Sequence, residues 1–345
     1  MSVITIVGAG MMGSAMAVPA RDNGHEVRLV GTHLDREIIE HVKATGNHPK
    51  LQPALPAEVQ AFQIEELEAA LTGTDILIGG ISSFGVDWFR DQVLPLIPQD
   101  VPVLLITKGL VHEGNGKLKT FPDYLLESRS ELSISAVGGP CTSYELADRN
   151  HSAVCFCGHD LPVLAKLKGL LETDYYHITV STDVAGVETA VAMKNAYALA
   201  VTLAVGLKER ENGIGCTEAY NPQAAIFGQA MREMDKIVKM AGGKEESVVF
   251  GVSDLYVTIF GGRTRMLGTL LGRGLSIDEA LQELEGVTLE SVAITNRVSS
   301  AMHKLAEQGL ANWENFPLLR HVDEILNQAK PVDLPWKSFG EAGAQ

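Results

Sequence analysis

The sequence predicts an α/β protein in two parts, a parallel-sheet domain followed by an all-helical one. Three observations carry this reading. The chain opens on a β-rich run, Ser2-Val-Ile-Thr-Ile-Val7, that passes directly into Gly8-Ala-Gly10-Met11-Met12-Gly13 and a helical pattern. Short apolar runs rich in β-branched residues then alternate with helical patterns as far as Val180. From Asp183 the pattern is helical only, and it begins with an almost uninterrupted apolar stretch to Leu207.

A strand, then G-x-G-x-x-G, then a helix is the context of a dinucleotide-binding turn. Gly8 allows the tight turn, Gly10 lets a pyrophosphate approach the backbone, and Gly13 lets helix and strand pack closely. Free N–H groups at the helix start, around Met11 and Met12, would hold the phosphates. The expected parts are therefore 1–182, a Rossmann-like NAD(P)-binding domain; 183–330, a helical catalytic and substrate domain; and 331–345, an irregular tail. A length of 345 residues suits two domains of about 150 each.

Composition narrows the class. A hydrophobic content of 46% supports sizeable cores. The net charge of −15, from 43 acidic and 28 basic residues, argues against a nucleic-acid or anionic-membrane partner. A few local cations can still hold a small anion. Cys141, Cys155, Cys157 and Cys216 show no metal spacing and read as reduced thiols, so no metal is expected. The N-terminus enters a strand with no signal-like segment, which makes a cytoplasmic protein the expectation.

Taken in order, Pro19 should end or kink the first helix early. The second strand, Glu26–Val30, ends in Gly31-Thr32-His33-Leu34-Asp35-Arg36. An NAD site usually has an acidic residue at this tip for the ribose hydroxyl, and here the tip is Thr32. Thr32, His33 and Arg36 could hold a 2′-phosphate, which slightly favours NADP over NAD; His33 and Arg36 as solvated loop residues is the equal alternative. The strand around Asp75–Ile81 ends in Ser82, where a cofactor loop belongs, and Val101–Thr107 ends in Lys108-Gly109. A lysine at the carboxyl end of a parallel strand faces the ligand crevice of such sheets. Later landmarks are Gly139-Pro140, the Asn221–Met234 helix, the Phe260-Gly-Gly-Arg263-Thr264-Arg265 loop, and Ser276-x-x-Glu279, a capping box with Glu285-Gly286 at its helix's far end.

The Asp183–Leu207 stretch is long enough for a membrane span, yet Glu188, Lys194 and Asn195 interrupt it. A lipid-facing helix would lose several kcal/mol by carrying them at its centre. Inside a soluble protein they must be paired or functional. Glu188 and Asn195 share one helical face, and Lys194 lies about a third of a turn away. The alternatives are a lysine that escapes to solvent at a domain edge and a lysine in a dry cleft tuned for proton transfer.

Taken together, these landmarks resemble the NAD(P)-dependent glycerol-3-phosphate dehydrogenase family, from Ile4 to about Ala301. Gly8–Gly13 matches its cofactor loop, Thr107-Lys108-Gly109 its first active-site lysine, Gly139-Pro140 a following loop, and Met193-Lys194-Asn195 its lysine-asparagine pair. Gly251-Val-Ser-Asp254-Leu-Tyr-Val-Thr258 matches its Asp-Leu-x-x-Thr segment, and Gly261-Gly262-Arg263 its phosphate arginine. Two positions depart: Thr264 stands where the family has Asn, and Gln229-Ala230 where it has Arg-Gly.

The resemblance implies a CH–OH oxidoreductase that interconverts dihydroxyacetone phosphate and sn-glycerol 3-phosphate, or a related polyol phosphate. Lys194 would be the proton donor or acceptor, with Lys108, Asp254 and Asn195 as further catalytic residues. The cofactor would touch Gly8, Gly10, Met11, Met12, Gly13, Thr32, Arg36, Ser82, Lys108, Arg263 and Glu285. The substrate would touch Lys108, Gly139, Lys194, Asp254, Thr258, Arg263 and Thr264. A homodimer is expected. Two rivals are a 3-hydroxyacid dehydrogenase or ketopantoate reductase acting on an unphosphorylated compound, and a non-catalytic NAD(P)-binding sensor.

Overall fold

Strand β1 (Val3–Val7) is an interior strand of the first unit's sheet, buried on both faces: Ile4 and Ile6 are apolar, and Thr5 satisfies its hydroxyl on the Ala70 carbonyl and Thr74. The structure is a computed structural model that describes residues 1–216 and 218–340. The chain divides into two compact units, one of residues 1–108 and 120–188, the other of residues 109–119 and Thr189 onward.

The remaining strands are β2 (Glu26–Val30), β3 (Gln60–Phe62), β4 (Ile76–Gly79), β5 (Val103–Leu105), β6 (Leu110–His112), β7 (Leu118–Thr120), β8 (Ile134–Gly138), β9 (Ser152–Gly158) and β10 (Tyr176–Ser181). Eight of them form one sheet in the order β10-β9-β8-β5-β4-β1-β2-β3. Each pairing is parallel except β8 with β9, where Ala136 opposes Cys157. Ile4 lies between Val27 and Ile76, and all three are fully buried. The helices of this unit are α1 (Met11–Ala15), α2 (Ala17–Asp22), α3 (Arg36–Thr45), α4 (Leu67–Leu71), α5 (Val86–Gln92), α6 (Phe121–Leu126), α7 (Ser143–Ala147) and α8 (Leu161–Leu171). The break between α1 and α2 falls at Met16, three residues before Pro19, as expected of a residue with no N–H to give the preceding turn.

The second unit is built on α9 (Val184–Asn212), about 43 Å long at 1.5 Å per residue. Its first residues, to Glu188, belong to the sheet unit. Asp183 caps it by accepting the Gly186 N–H at 3.0 Å. The helix is apolar enough to cross a membrane, yet 83% of its most apolar window is buried within the protein, so it is a core helix. Around it lie α10 (Tyr220–Met240), α11 (Val248–Thr258), α12 (Gly262–Arg273), α13 (Ile277–Glu283), α14 (Glu290–Glu307) and α15 (Pro317–Gln328). Small residues set the closest approach. A Cβ on Gly272 would meet the Leu203 carbonyl oxygen at 2.2 Å, and one on Gly206 the Thr269 carbonyl oxygen at 2.1 Å.

Three details differ from the sequence reading. The β6–β7 hairpin clusters with the helices rather than with the sheet: Leu110 is buried in the helical core and Arg297 donates to its carbonyl at 3.2 Å. The capping box forms, but α13 stops at Glu283, so Glu285 lies in the turn beyond the helix. The tail carries a short 3-10 turn at Trp336–Ser338, and residues 341–345 lie outside those described.

Candidate active site

The glycine-rich turn is sterically dictated. Gly8 has φ +112°, and a Cβ there would sit 2.5 Å from the Gly80 carbonyl oxygen. At Gly13 it would sit 2.0 Å from the Gly8 carbonyl oxygen, so α1 can approach the end of β1 this closely only with glycine at 13, and the turn can pass Gly80 only with glycine at 8. Gly10 differs: a Cβ there would meet nothing within 4 Å, which leaves open space in front of the first N–H groups of α1. A side chain at Gly10 would occupy that space. These features fit a dinucleotide pyrophosphate.

At the β2 tip, Asp35 turns inward. One of its oxygens accepts the Thr32 N–H (2.9 Å), the Thr32 hydroxyl (2.8 Å) and the Ala9 N–H (3.2 Å), which ties this tip to the glycine turn. His48 reaches the Ala9 carbonyl at 3.1 Å, and burial lowers its pKa. His33 lies tilted against Trp88 with ring centroids 5.5 Å apart, and exposed Arg36 pairs with Glu65. Ser82 is exposed just after β4.

Lys108 follows β5 and donates to the Gly139 carbonyl at 2.9 Å, so the two sequence-picked positions meet. Gly139 has φ +102°. Glu188, on the first turns of α9, is a group to which the sequence pattern assigned no role. It is fully buried, and neither carboxyl oxygen has a hydrogen-bond partner among the described residues. Burial pushes its pKa up to about 8, against the pull of the Lys108 charge. The signal available in the sequence was the carboxyl itself, alone in an apolar run.

In the helical unit, Lys194 Nζ lies 2.7 Å from Asp254 Oδ1, with Asp254 1% exposed and Lys194 15%. The pairing follows from backbone packing. A Cβ on Gly251 would lie 2.4 Å from the Ala190 carbonyl oxygen, so α11 crosses α9 in near contact there. One turn further along each helix stand Lys194 and Asp254. Asn195 is half-buried beside Lys194. Thr258 donates back to the Asp254 carbonyl at 2.7 Å, which leaves its oxygen lone pairs available.

The glycine-hinged loop leads into α12, whose first turn carries Arg263 exposed and Thr264 largely buried. The second arginine of this turn has a different task. Arg265 donates to the Ile259 carbonyl at 2.7 Å and lines a cleft of about 500 Å³ with Arg273, which pairs with Glu209 at 2.6 Å. Glu285 is exposed. Gln229 is far from exposed, at 1%, and belongs to a structural network: it donates to Glu233 at 2.9 Å and accepts the Gly340 N–H. Glu233 also accepts from the Leu318 and Leu319 backbones and from Tyr197. Burial pushes its pKa up to about 7 while these donors pull it down. The departure at Gln229 is thus absorbed by internal packing.

Residues 3–162 match the family model for the N-terminus of NAD-dependent glycerol-3-phosphate dehydrogenase, and residues 183–336 match the model for its C-terminus. The chain is 38% identical over 288 residues to the NADP(+)-dependent glycerol-3-phosphate dehydrogenase of Archaeoglobus fulgidus, covering 82% of this chain and 84% of that one. The chain belongs to the NAD-dependent glycerol-3-phosphate dehydrogenase family. A second relative, glycerol-3-phosphate dehydrogenase [NAD(P)+] of Acidobacterium capsulatum, is 29% identical over 342 residues, 96% of each chain. In fold, the crystal structure of the Coxiella burnetii glycerol-3-phosphate dehydrogenase superposes with a TM-score of 0.82 at 24% identity, covering 100% of this chain and 99% of that one. Membership across both halves sets aside the hydroxyacid dehydrogenase and ketopantoate reductase alternatives.

Proposed function

We propose that this protein interconverts dihydroxyacetone phosphate and sn-glycerol 3-phosphate with NADP(H) slightly preferred to NAD(H). The single observation that carries the reading is the Lys194–Asp254 pair at 2.7 Å, a cation in a nearly dry site with its counterion built in.

A bound nicotinamide supplies the hydride to the carbonyl carbon. The carbonyl oxygen then gains negative charge and needs a proton. Lys194 gives that proton in reduction and takes it back in oxidation, while Asp254 holds the ammonium in place and Asn195 orients its neighbourhood. Lys108 adds positive potential near the reacting oxygens. Arg263, with Thr258, holds the phosphate and so positions the carbonyl. Gly10 and the first N–H groups of α1 take the pyrophosphate. The preference for NADP rests on Thr32 at the β2 tip, on the inward turn of Asp35, and on the cofactor in the Archaeoglobus fulgidus relative's name. Glu285 and Arg36 complete the cofactor contacts in this reading.

A cytoplasmic homodimer goes with it, and the exposed aromatic side chains of Tyr256 and Phe260 offer apolar surface for a second copy. The test is to follow oxidation of NADPH and of NADH by purified protein given dihydroxyacetone phosphate. Turnover with both, faster at low NADPH, is the expected result. Intact cofactor binding with no turnover would send the substrate assignment back to Thr264.

A further inference from the structure

Ala9 stands between Gly8 and Gly10 of the glycine turn and is fully buried. Glycine on either side gives this segment wide torsional freedom, so contacts from outside it must set its direction. Three side chains of the sheet unit meet at this one residue. Asp35, which precedes the first turn of α3, accepts the Ala9 N–H at 3.2 Å. His48, in the loop after α3, and Ser14, in α1, both donate to the Ala9 carbonyl, at 3.1 and 3.2 Å. The His48 tautomer follows from its other nitrogen. Nδ1 accepts the Lys50 N–H at 3.1 Å, so the proton lies on Nε2, the atom that meets Ala9. At 3% exposure the ring is packed in place.

These bonds fix two consecutive peptide planes. The Gly8–Ala9 plane is held through its N–H, and the Ala9–Gly10 plane through its carbonyl. In a trans peptide the N–H points opposite to the C=O. The Gly10 N–H is therefore turned away from His48, and among the described residues it has no acceptor. We propose that His48, together with Asp35, is a positioning residue for the cofactor: it locks the Ala9 peptides so that the Gly10 N–H is already directed when a pyrophosphate arrives. Ordering the turn in advance removes a cost that binding would otherwise carry. The inference rests on the reading of the glycine turn as the pyrophosphate site. Because NADPH and NADH share the pyrophosphate, the effect falls on both alike, unlike a contact to the 2′-phosphate.

Calorimetry of the purified protein with NADPH and with NADH tests this. His48→Ala should raise both dissociation constants by the same factor, about two- to tenfold, as expected for one lost hydrogen bond. His48→Gln, whose amide can donate in place of Nε2, should restore most of the affinity. Unchanged affinity in His48→Ala, a change for NADPH alone, or equal losses in the alanine and glutamine variants would overturn the proposal. Gly10→Val separates it from the reading beneath it. A valine that leaves NADPH affinity intact removes the turn from the cofactor site, and both claims fall. Lost binding in Gly10→Val beside full binding in His48→Ala sinks the positioning role alone. Amide hydrogen exchange of the wild type without cofactor needs no variant to fold. The Ala9 N–H should exchange at least about a hundredfold slower than in an unstructured chain. Exchange at the unstructured rate would mean that the turn is not held before the cofactor binds, which contradicts the proposal.

Discussion

Arg263 and Arg265 stand two residues apart at the start of α12, yet their surroundings assign them different work. Arg265 is spent on the Ile259 carbonyl, whereas Arg263 stands exposed on the first turn of α12. A guanidinium there can grip a phosphate in two places, with the helix start adding to the attraction. Arg263→Ala should raise KM for dihydroxyacetone phosphate by about ten- to a hundredfold, since a hydrogen bond to a charged group contributes about 1.5–3 kcal/mol. The kcat should fall less. Steady-state kinetics check this, and an unchanged KM would mean that the substrate's anionic end is held elsewhere.

The elements matter through where they touch. Helix α9 offers Ala190 to α11 at Gly251, and this crossing sets the distance at which Asp254 meets Lys194 one turn on. Gly251→Ala would put a methyl 2.4 Å from a backbone oxygen that cannot rotate away. The helices must part, at a cost of about 1–3 kcal/mol or more. The expected result is a lower melting temperature together with a loss of kcat, although residue 251 touches no substrate in this account. Full activity in a destabilised Gly251→Ala protein would show that the Lys194–Asp254 distance is not critical. The crossing also explains why local pattern raises the pair only as a suspicion. A glycine three residues before an aspartate is visible in the chain, but the oxygen it must clear belongs to Ala190 on another helix.

For the whole molecule, the parts read from local pattern were the legible ones. The glycine turn, the alternating strands, the Pro19 break and the Ser276 capping box each depend on a few adjacent residues. What depends on distant contacts was not legible. The hairpin Leu110–Thr120 looked like part of the sheet domain by its position, yet Leu110 is buried among helices. The departure at Gln229 left a changed substrate and a rewired structural pair both open, and only its buried network with Glu233 and the Gly340 backbone favours the second. Glu188 stood out as a mark on a helical face, but its isolation could be seen only once its neighbours were known.

The glycine turn lies in the sheet unit and Lys194 in the helical unit, so removing the lysine side chain leaves the pyrophosphate turn untouched. The most direct measurement therefore compares Lys194→Met with the wild type in two readouts, NADPH affinity and turnover of dihydroxyacetone phosphate. The account predicts that affinity is kept while kcat falls by about 10²- to 10⁴-fold, the usual contribution of a positioned proton donor. Turnover within a few-fold of wild type would contradict it, because Lys194 would then not be the residue that moves the proton.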